Sequence, residues 1–337
     1  MWENILGHKD IKCFLEQYIA RKEKPHALLF VGPAGLGKKK MAEEFSRSLL
    51  CFTGSGRDAC DSCRQLDFES GNISHPDFIH IARELNPTTG KLRDISIEQV
   101  RELQSKTAFG PVLSRYKVCL IEDVDRMRAE AANCLLKVLE EPPEGWILIL
   151  LAEAEEKLLS TILSRVVVLR FHSLPFQEAA AVVKEKCSEL SLEQAQVLVQ
   201  ISDGSIGKAV ALQEQKFWEC RKLALDLLEA FPIAAPVNYF ADRAWIDKME
   251  RSQALLLVNV LQLLLRDLLF LSSSLQQNLY NSDIKKELQA LAKGWNYKTL
   301  KRSLPVLDEA YCALEGNAGI KLVLEAMTLK IDKISKE

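Results

Sequence analysis

The apolar run Ala27-Leu28-Leu29-Phe30-Val31 passes straight into Gly32-Pro33-Ala34-Gly35-Leu36-Gly37-Lys38-Lys39, and a helical pattern follows from Met41 to Leu50. A β-type run, a glycine-rich turn and a helix, in that order, make the setting of a phosphate-binding loop. The glycines let the backbone curl so that its N–H groups point inward, and the helix N-terminus adds positive potential. Gly32, Gly35, Gly37 and Lys38 are the candidate cofactor contacts, with Lys38 placed to reach terminal phosphates. The pattern G-x-x-x-x-G-K is complete, yet the next position, where a Ser or Thr hydroxyl holds Mg²⁺, is Lys39. That one residue separates two readings, an ATPase and a protein with an ATPase's shape.

A second β-type run, Lys117-Val118-Cys119-Leu120-Ile121, ends in Glu122-Asp123-Val124-Asp125. Downstream of a phosphate loop, an apolar strand ending in acids is where the second nucleotide motif belongs. Its first acid normally binds Mg²⁺ through the water shell and its second polarises the attacking water. The usual order is Asp then Glu; here it is Glu122 then Asp123. Lys39 and Glu122 thus hold two positions that share one metal ion in such loops, and they carry opposite charge. Either they pair in the ion's place, or Lys39 swings to solvent and Glu122 bonds elsewhere.

Further apolar runs at Phe78–Ile81, Trp146–Ala152 and Val166–Phe171 alternate with helical patterns. Ile95–Ala108 reads as an amphipathic helix, with Ile97, Val100 and Leu103 on one face and Gln104 interrupting the stripe. Asn133–Glu141 reads as a helix stopped by Pro142 and Pro143. With a lead-in helix at Ile11–Ala20, this alternation predicts a parallel α/β sheet with helices on both faces.

Between the phosphate-loop helix and the second strand lies Cys51-x8-Cys60-x2-Cys63, in a polar loop of Thr53, Gly54, Ser55, Gly56, Arg57 and Asp58. Close cysteines in such a loop suit tetrahedral Zn²⁺, which takes four ligands in a structural site. Leu66 stands where spacing puts the fourth, so Asp61, Asp67, His75 or water completes the set, or the thiols are free. Nine cysteines, an odd number, and a start (Met1-Trp2-Glu3-Asn4) without the cationic and apolar features of a signal peptide favour a reduced, cytosolic setting and metal over disulfides.

Beyond Pro175 the strand patterns stop. Phe176–Leu190 and Leu192–Ile201 read as helices, 203–207 as a turn, and the chain from about Gln213 onward as helical, broken at Pro232, Pro236, 272–274, Gly294 and Pro305. The most hydrophobic stretch, Ala254 to Leu271, is interrupted by Asn259, Gln262, Arg266 and Asp267, which favours a buried helix over a membrane span. The length, 337 residues, allows two or three domains, and a net charge of −2 excludes a global basic field that would draw the chain onto nucleic acid unaided.

The order phosphate loop, cysteine cluster, Glu122-Asp123, then Asn133-Cys134-Leu135-Leu136-Lys137-Val138-Leu139-Glu140-Glu141-Pro142-Pro143 and Thr161-Ile162-Leu163-Ser164-Arg165 resembles the bacterial clamp-loader branch of the AAA+ proteins. The Leu-Leu-Lys-x-Leu-Glu-Glu-Pro-Pro block is the most specific part. The tail, from Leu314-Glu315-Gly316-Asn317 to Leu322, looks like the collar domain of the delta-prime subunits of DNA polymerase III. The resemblance implies an α/β AAA+ core at 1–172 with an inserted zinc loop at 51–66, a helical lid at 173–212, and an all-α collar at 213–337 that oligomerises.

It also implies Arg165 as a catalytic residue supplied in trans, pointing into the nucleotide site of a neighbouring subunit, although Val166 replaces the usual Cys after it. The γ-phosphate sensor position aligns to Ala152 or Glu153, and the lid arginine to Gly207 beside Lys208. Phosphoryl transfer rests almost wholly on positioning and charge stabilisation, so these departures together argue against turnover, leave ATP binding in question and disfavour Mg²⁺. The expected protein is a non-hydrolysing, stator-like clamp-loader subunit that helps place the sliding clamp on primed DNA. Its implied partners are the motor (gamma/tau) and delta subunits, the clamp indirectly, and primed DNA within the complex, in the cytoplasm with no membrane. Lys137 either faces that DNA or is solvated. The competing readings are an active motor ATPase of gamma/tau type, and a zinc-dependent DNA-binding protein, which lacks a basic surface signal.

Overall fold

The computed structural model describes residues 2, 5–21, 23–54, 56, 60–68, 70–86, 92–233, 249–273 and 279–336; the turn at 87–90, part of the polar cysteine loop, and the breaks at Pro236 and Ser274 lie outside the described residues. The chain divides into two compact units, 1–174 and 175–337.

The first unit is built on five parallel strands: β1 (Ala27–Val31), β2 (Phe78–Ile81), β3 (Lys117–Ile121), β4 (Trp146–Ala152) and β5 (Val167–Arg170), in the spatial order β2-β3-β4-β1-β5. Buried on both faces, parallel strands have no polar side to show, which is why β1, β3 and β4 are apolar almost without interruption and buried throughout. Alternate residues serve two cores. Leu28, Phe30, Leu120 and Ile149 face helices α1 (Lys9–Ala20) and α2 (Lys38–Leu50) through Leu15, Tyr18, Met41 and Phe45. Leu29, Val31, Ile121 and Leu150 face α3 (Ile97–Lys106) and α4 (Ala129–Glu140) through Val100, Leu103, Leu135 and Val138.

Several boundaries differ from the periodicity. Helix α2 begins at Lys38 rather than Met41, because its N-terminus is the phosphate loop itself. Helix α3 begins at Ile97 because Ser96 accepts the Gln99 N–H and Gln99 reaches back to the Ser96 N–H, a capping box. Gln104 interrupts the apolar stripe because its Nε2 donates to the Cys134 carbonyl on α4 at 2.7 Å. A two-residue hairpin (Leu66–Asp67 with Asn72–Ile73) follows the cysteine loop, and Leu66, at the spacing of a fourth ligand, is instead buried in the core.

The second unit is helical: α5 (Phe176–Lys186), α6 (Leu192–Ile201), α7 (Ile206–Glu214), α8 (Phe217–Glu229), α9 (Arg251–Ser272), α10 (Lys285–Ala292), α11 (Tyr297–Glu315) and α12 (Ile320–Ser335). Helix α5 stops at Lys186, short of Leu190, and Ser191 then caps α6. Helix α9 is long and apolar enough to cross a membrane by length and composition, but it packs against α8 and α11 and buries Leu257, Leu261, Leu264 and Leu268. Its one fully buried acid, Asp267, accepts N–H bonds from Tyr280 and Asn281 at 3.0 and 2.8 Å.

Pro305 was expected to break a helix and does not: it lies inside α11. A proline removes one N–H and frees the carbonyl four residues back, here Lys301. Both Pro305 and Lys301 are exposed, so solvent accommodates the defect, while Leu300, Ser303, Leu307 and Leu314 hold the opposite face in the core.

Candidate functional site

The carboxyl ends of β1, β3 and β4 gather at one edge of the sheet, the edge where α/β folds place their ligands. Gly32 leaves β1 with φ 150°, and a Cβ there would lie 2.5 Å from the Phe171 carbonyl, so no larger residue fits. Gly35 and Gly37 also take positive φ (80° and 84°), and Gly37 opens into α2. Lys38 turns its Nζ back onto the loop, donating to the Gly32 carbonyl and, at 2.8 Å, to that of Pro33. His8 supports the loop from outside through a 3.0 Å bond between Nε2 and the Leu36 carbonyl.

Next to the loop, Lys39 Nζ stands 2.8 Å from Glu122 Oε1. Of the two arrangements open to the sequence, the structure adopts the pair. The same oxygen is 2.5 Å from His80 Nε2, on the neighbouring strand β2. Burial alone would push the Glu122 carboxyl up, but the hydrogen bonds from His80 and Lys39 and the lysine charge outweigh it and hold the group below the usual carboxylate range. Lys39 feels the reciprocal effect: burial works against its charge, and the bond to Glu122 more than restores it, raising its pKa. Asp123 is left in the less favourable place, raised first by burial and, once Arg83 is set against it, by the charges of Glu122, Asp125 and Glu153. Glu153, at a candidate sensor position, donates its backbone N–H to Asp125 Oδ1 at 3.3 Å.

Arg165 follows the short helix Ser160–Leu163, away from the phosphate loop in sequence, and is held by three groups of its own chain. Its Nη1 donates to the Thr161 carbonyl (2.8 Å) and Ser164 Oγ (3.1 Å), and its Nη2 lies 2.8 Å from Glu140 Oε1 at the end of α4. The guanidinium is about one-third exposed and borders a surface groove that also includes His26 and Leu139.

Cys51, Cys60 and Cys63 come together, their sulfurs all within 4.8 Å of one another; among the described residues this is the group of His, Cys, Asp or Glu side chains close enough to hold a metal. Tetrahedral Zn²⁺ at about 2.3 Å from each thiolate sets sulfurs about 3.8 Å apart, so the three fit with a small closure. His75 is committed elsewhere: its Nδ1 accepts the Asp77 N–H (3.0 Å) and its Nε2 faces Ser62 Oγ (2.9 Å) and Ser114 Oγ (3.3 Å). Asp67 accepts from Ser70, and Asp61 lies 3.6 Å from Arg64, so neither joins the cluster. The loop is tied down by Ser62 Oγ, which donates to the Leu50 carbonyl at the end of α2.

Two participants escaped the sequence. His80 sits in an apolar run, and only the parallel register that pairs it with Leu120 puts it beside Glu122. Glu140 belongs to the motif block, but nothing in its spacing links it to Arg165.

A five-stranded parallel sheet in this order, with a phosphate loop after β1 and an acid pair after β3, followed by a helical region, defines an AAA+ protein of the clamp-loader kind. Family models described as "DNA polymerase III, delta subunit" and "DNA polymerase III, delta subunit, C terminal" match residues 7–175 and 216–332. The DNA polymerase III subunit delta' of Bacillus subtilis is 28% identical over 319 residues, 94% of this chain and 93% of that one. The subunit of the same name from Pseudomonas aeruginosa is 33% identical over 229 residues, 65% of this chain and 67% of that one. A solved DNA polymerase III gamma subunit-related protein from Thermotoga maritima shares the fold at 20% identity with a TM-score of 0.53, covering 97% of this chain and 99% of that one. The chain belongs to the delta-prime family of DNA polymerase III clamp-loader subunits.

Proposed function

We propose that this chain is the non-hydrolysing, stator-like subunit of its clamp loader. The observation that carries the reading is the 2.8 Å contact between Lys39 and Glu122. In a working site of this type those two positions hold Mg²⁺ between them, and the metal neutralises charge developing on the transferring phosphoryl group. Here a lysine and a histidine occupy the acid. Mg²⁺ does not fit beside an ammonium at that distance, so no hydrolytic step is assigned to this chain's own site. A steady-state ATPase assay on the isolated protein with Mg²⁺ and primed DNA is expected to show no turnover above background. Mg²⁺-dependent turnover there would sink the reading and favour its rival, an active motor of gamma/tau type.

In this reading Arg165 serves the nucleotide site of a neighbouring motor subunit, where a positive fork stabilises charge on the phosphoryl group in flight. Its support is the partial exposure of a guanidinium whose backbone is set by the turn after Ser160–Leu163. The working partners are the motor (gamma/tau) and delta subunits, the sliding clamp through them, and primed DNA inside the complex, in the cytoplasm at the replisome. The chain beyond the sheet provides a helical lid (173–212) and a collar (213–337) for assembly. Cys51, Cys60 and Cys63 hold one Zn²⁺ whose role is to cross-link the loop.

A further inference from the structure

Helices α7 and α9 both pack on α8, and a cleft of about 750 Å³ opens between them. Its lining is largely apolar, with Phe217 of α8 and Leu256, Val260 and Leu263 of α9, and it is bordered by the end of α6 and by α11. A concave, mostly apolar space of this size with a few polar groups has the dimensions of a small-molecule site.

Two observations give the cleft a chemistry. Ser202, just after α6, lines it and is only 5% exposed, yet its hydroxyl has no partner among the described residues. The backbone of Ser202 is fully used: its N–H donates to the Leu198 carbonyl, and its carbonyl accepts the Ser205 N–H. Buried hydroxyls elsewhere reach the carbonyl four residues back, as Ser46, Ser303 and Thr328 do at 2.6, 2.9 and 2.8 Å. Ser202 does not, and a buried donor costs stability until something supplies its acceptor.

The second observation is charge. Lys208, Arg266 and Asp308 line the cleft. Arg266 lies 3.4 Å from the buried Asp267, and Asp308 accepts from Gln262 Nε2 at 2.7 Å. Lys208 has no ion pair among the described residues, so its charge is the uncompensated one. Ser202 and Lys208 flank the same short turn between α6 and α7, which brings a hydrogen-bond donor and an ammonium to one side of an apolar space.

We propose that this cleft binds a small organic anion with an apolar body. Its carboxylate takes the Ser202 hydroxyl and the Lys208 charge, and its body lies along α9, where Leu256 to Arg266 offer a wall about 15 Å long. The site is separate from Lys39 and Arg165 and does not depend on the function proposed for them.

The test is titration of the full chain with anilinonaphthalene sulfonate, read by fluorescence, then displacement by decanoate or by decanamide, its uncharged analogue. The expected result is a single saturable site from which decanoate displaces the dye, with decanamide about tenfold weaker. Leu263→Trp, which fills the cleft, abolishes the site. Lys208→Glu, at an exposed position, weakens decanoate about tenfold and serves if Leu263→Trp fails to fold. Ser202→Ala weakens decanoate several-fold while raising the Tm of the free protein, because an unmade donor is removed. Absence of a saturable site, a site untouched by Leu263→Trp and Lys208→Glu, or equal displacement by decanoate and decanamide overturns the proposal. So does a Ser202→Ala protein that melts lower, which would mean that water already satisfies the hydroxyl.

Discussion

At the scale of single residues, the Lys39–Glu122–His80 cluster is the part of the protein where charge decides most. Removing one member of a half-buried pair leaves the other desolvated and uncompensated, which costs more than removing both. Lys39→Ala is therefore expected to destabilise by about 1 kcal/mol, discounted for the exposure of the lysine, and Lys39→Ala with Glu122→Gln by less. Additive effects in that double-mutant cycle, read by urea unfolding, would show that the pair does not act as one. The pH dependence has a definite sign. The carboxyl of Glu122 is held below its unfolded value, so its contribution is present above about pH 4.3 and is lost as the pH falls through the lower folded value. Glu43, pushed up first by burial, acts in the opposite sense, so the Glu122 effect is isolated by subtracting the profile of Glu122→Gln.

Elements come next, and Asp77 shows how one side chain shapes a segment. Fully buried just before β2, it accepts the backbone N–H groups of Val112, Leu113 and Ser114 at 2.6–2.7 Å, fixing the loop that leads into β3. Asp77→Ala orphans three donors at once and should lower stability by about 3 kcal/mol, with Asp77→Asn intermediate. A loss below about 1 kcal/mol in denaturant titration would mean that water replaces the carboxylate. The cysteine loop gives a second test at this scale. Elemental analysis should find about one Zn²⁺ per chain, falling in Cys60→Ser and Cys63→Ser, and chelation should expose 51–66 to protease while leaving the sheet intact. A protein that neither carries nor takes up zinc ends the metal claim.

Much of this level was legible in the residues. The strands Lys117–Ile121 and Trp146–Ala152 are nearly continuous apolar runs because both sheet faces are covered there, and their limits, like those of the edge strand Phe78–Ile81, could be read directly. Pro305 misled because a proline's effect depends on which side of the helix its freed carbonyl faces, and that is decided by packing. Lys39 and Glu122 could be matched because the loop motif supplies the geometry. The bonds from His80 and Glu140 depend on strand register and on the end of a distant helix, which no local spacing encodes.

For the molecule as a whole, the proposed function places its chemistry on another chain. Arg165→Ala should leave the isolated protein folded, since the residue is partly exposed and its main tie is an ion pair with the half-exposed Glu140. In a reconstituted complex the same change should lower the DNA-stimulated ATPase by the share of one motor site, because an arginine supplied in trans is worth a factor of about 10³–10⁵ at the site it serves. An unchanged rate in a complex of verified composition would confine Arg165 to its surface ion pair.

The buried ring of His75 carries a consequence of a different kind. Because its Nδ1 accepts the Asp77 N–H, the single ring proton sits on Nε2, between the hydroxyls of Ser62 and Ser114. Both hydroxyls donate to the Leu50 carbonyl, so one imidazole joins the cysteine loop, the end of α2 and the approach to β3. Burial, only partly countered by Asp77, lowers the ring's pKa, so acid must break this join to protonate it, and stability is lost as the pH falls from about 6.5 toward the lower folded value. Nitrogen-15 spectra should therefore show a single frozen tautomer at neutral pH. The cysteine loop and the approach to β3 would then share one proton that does not exchange places.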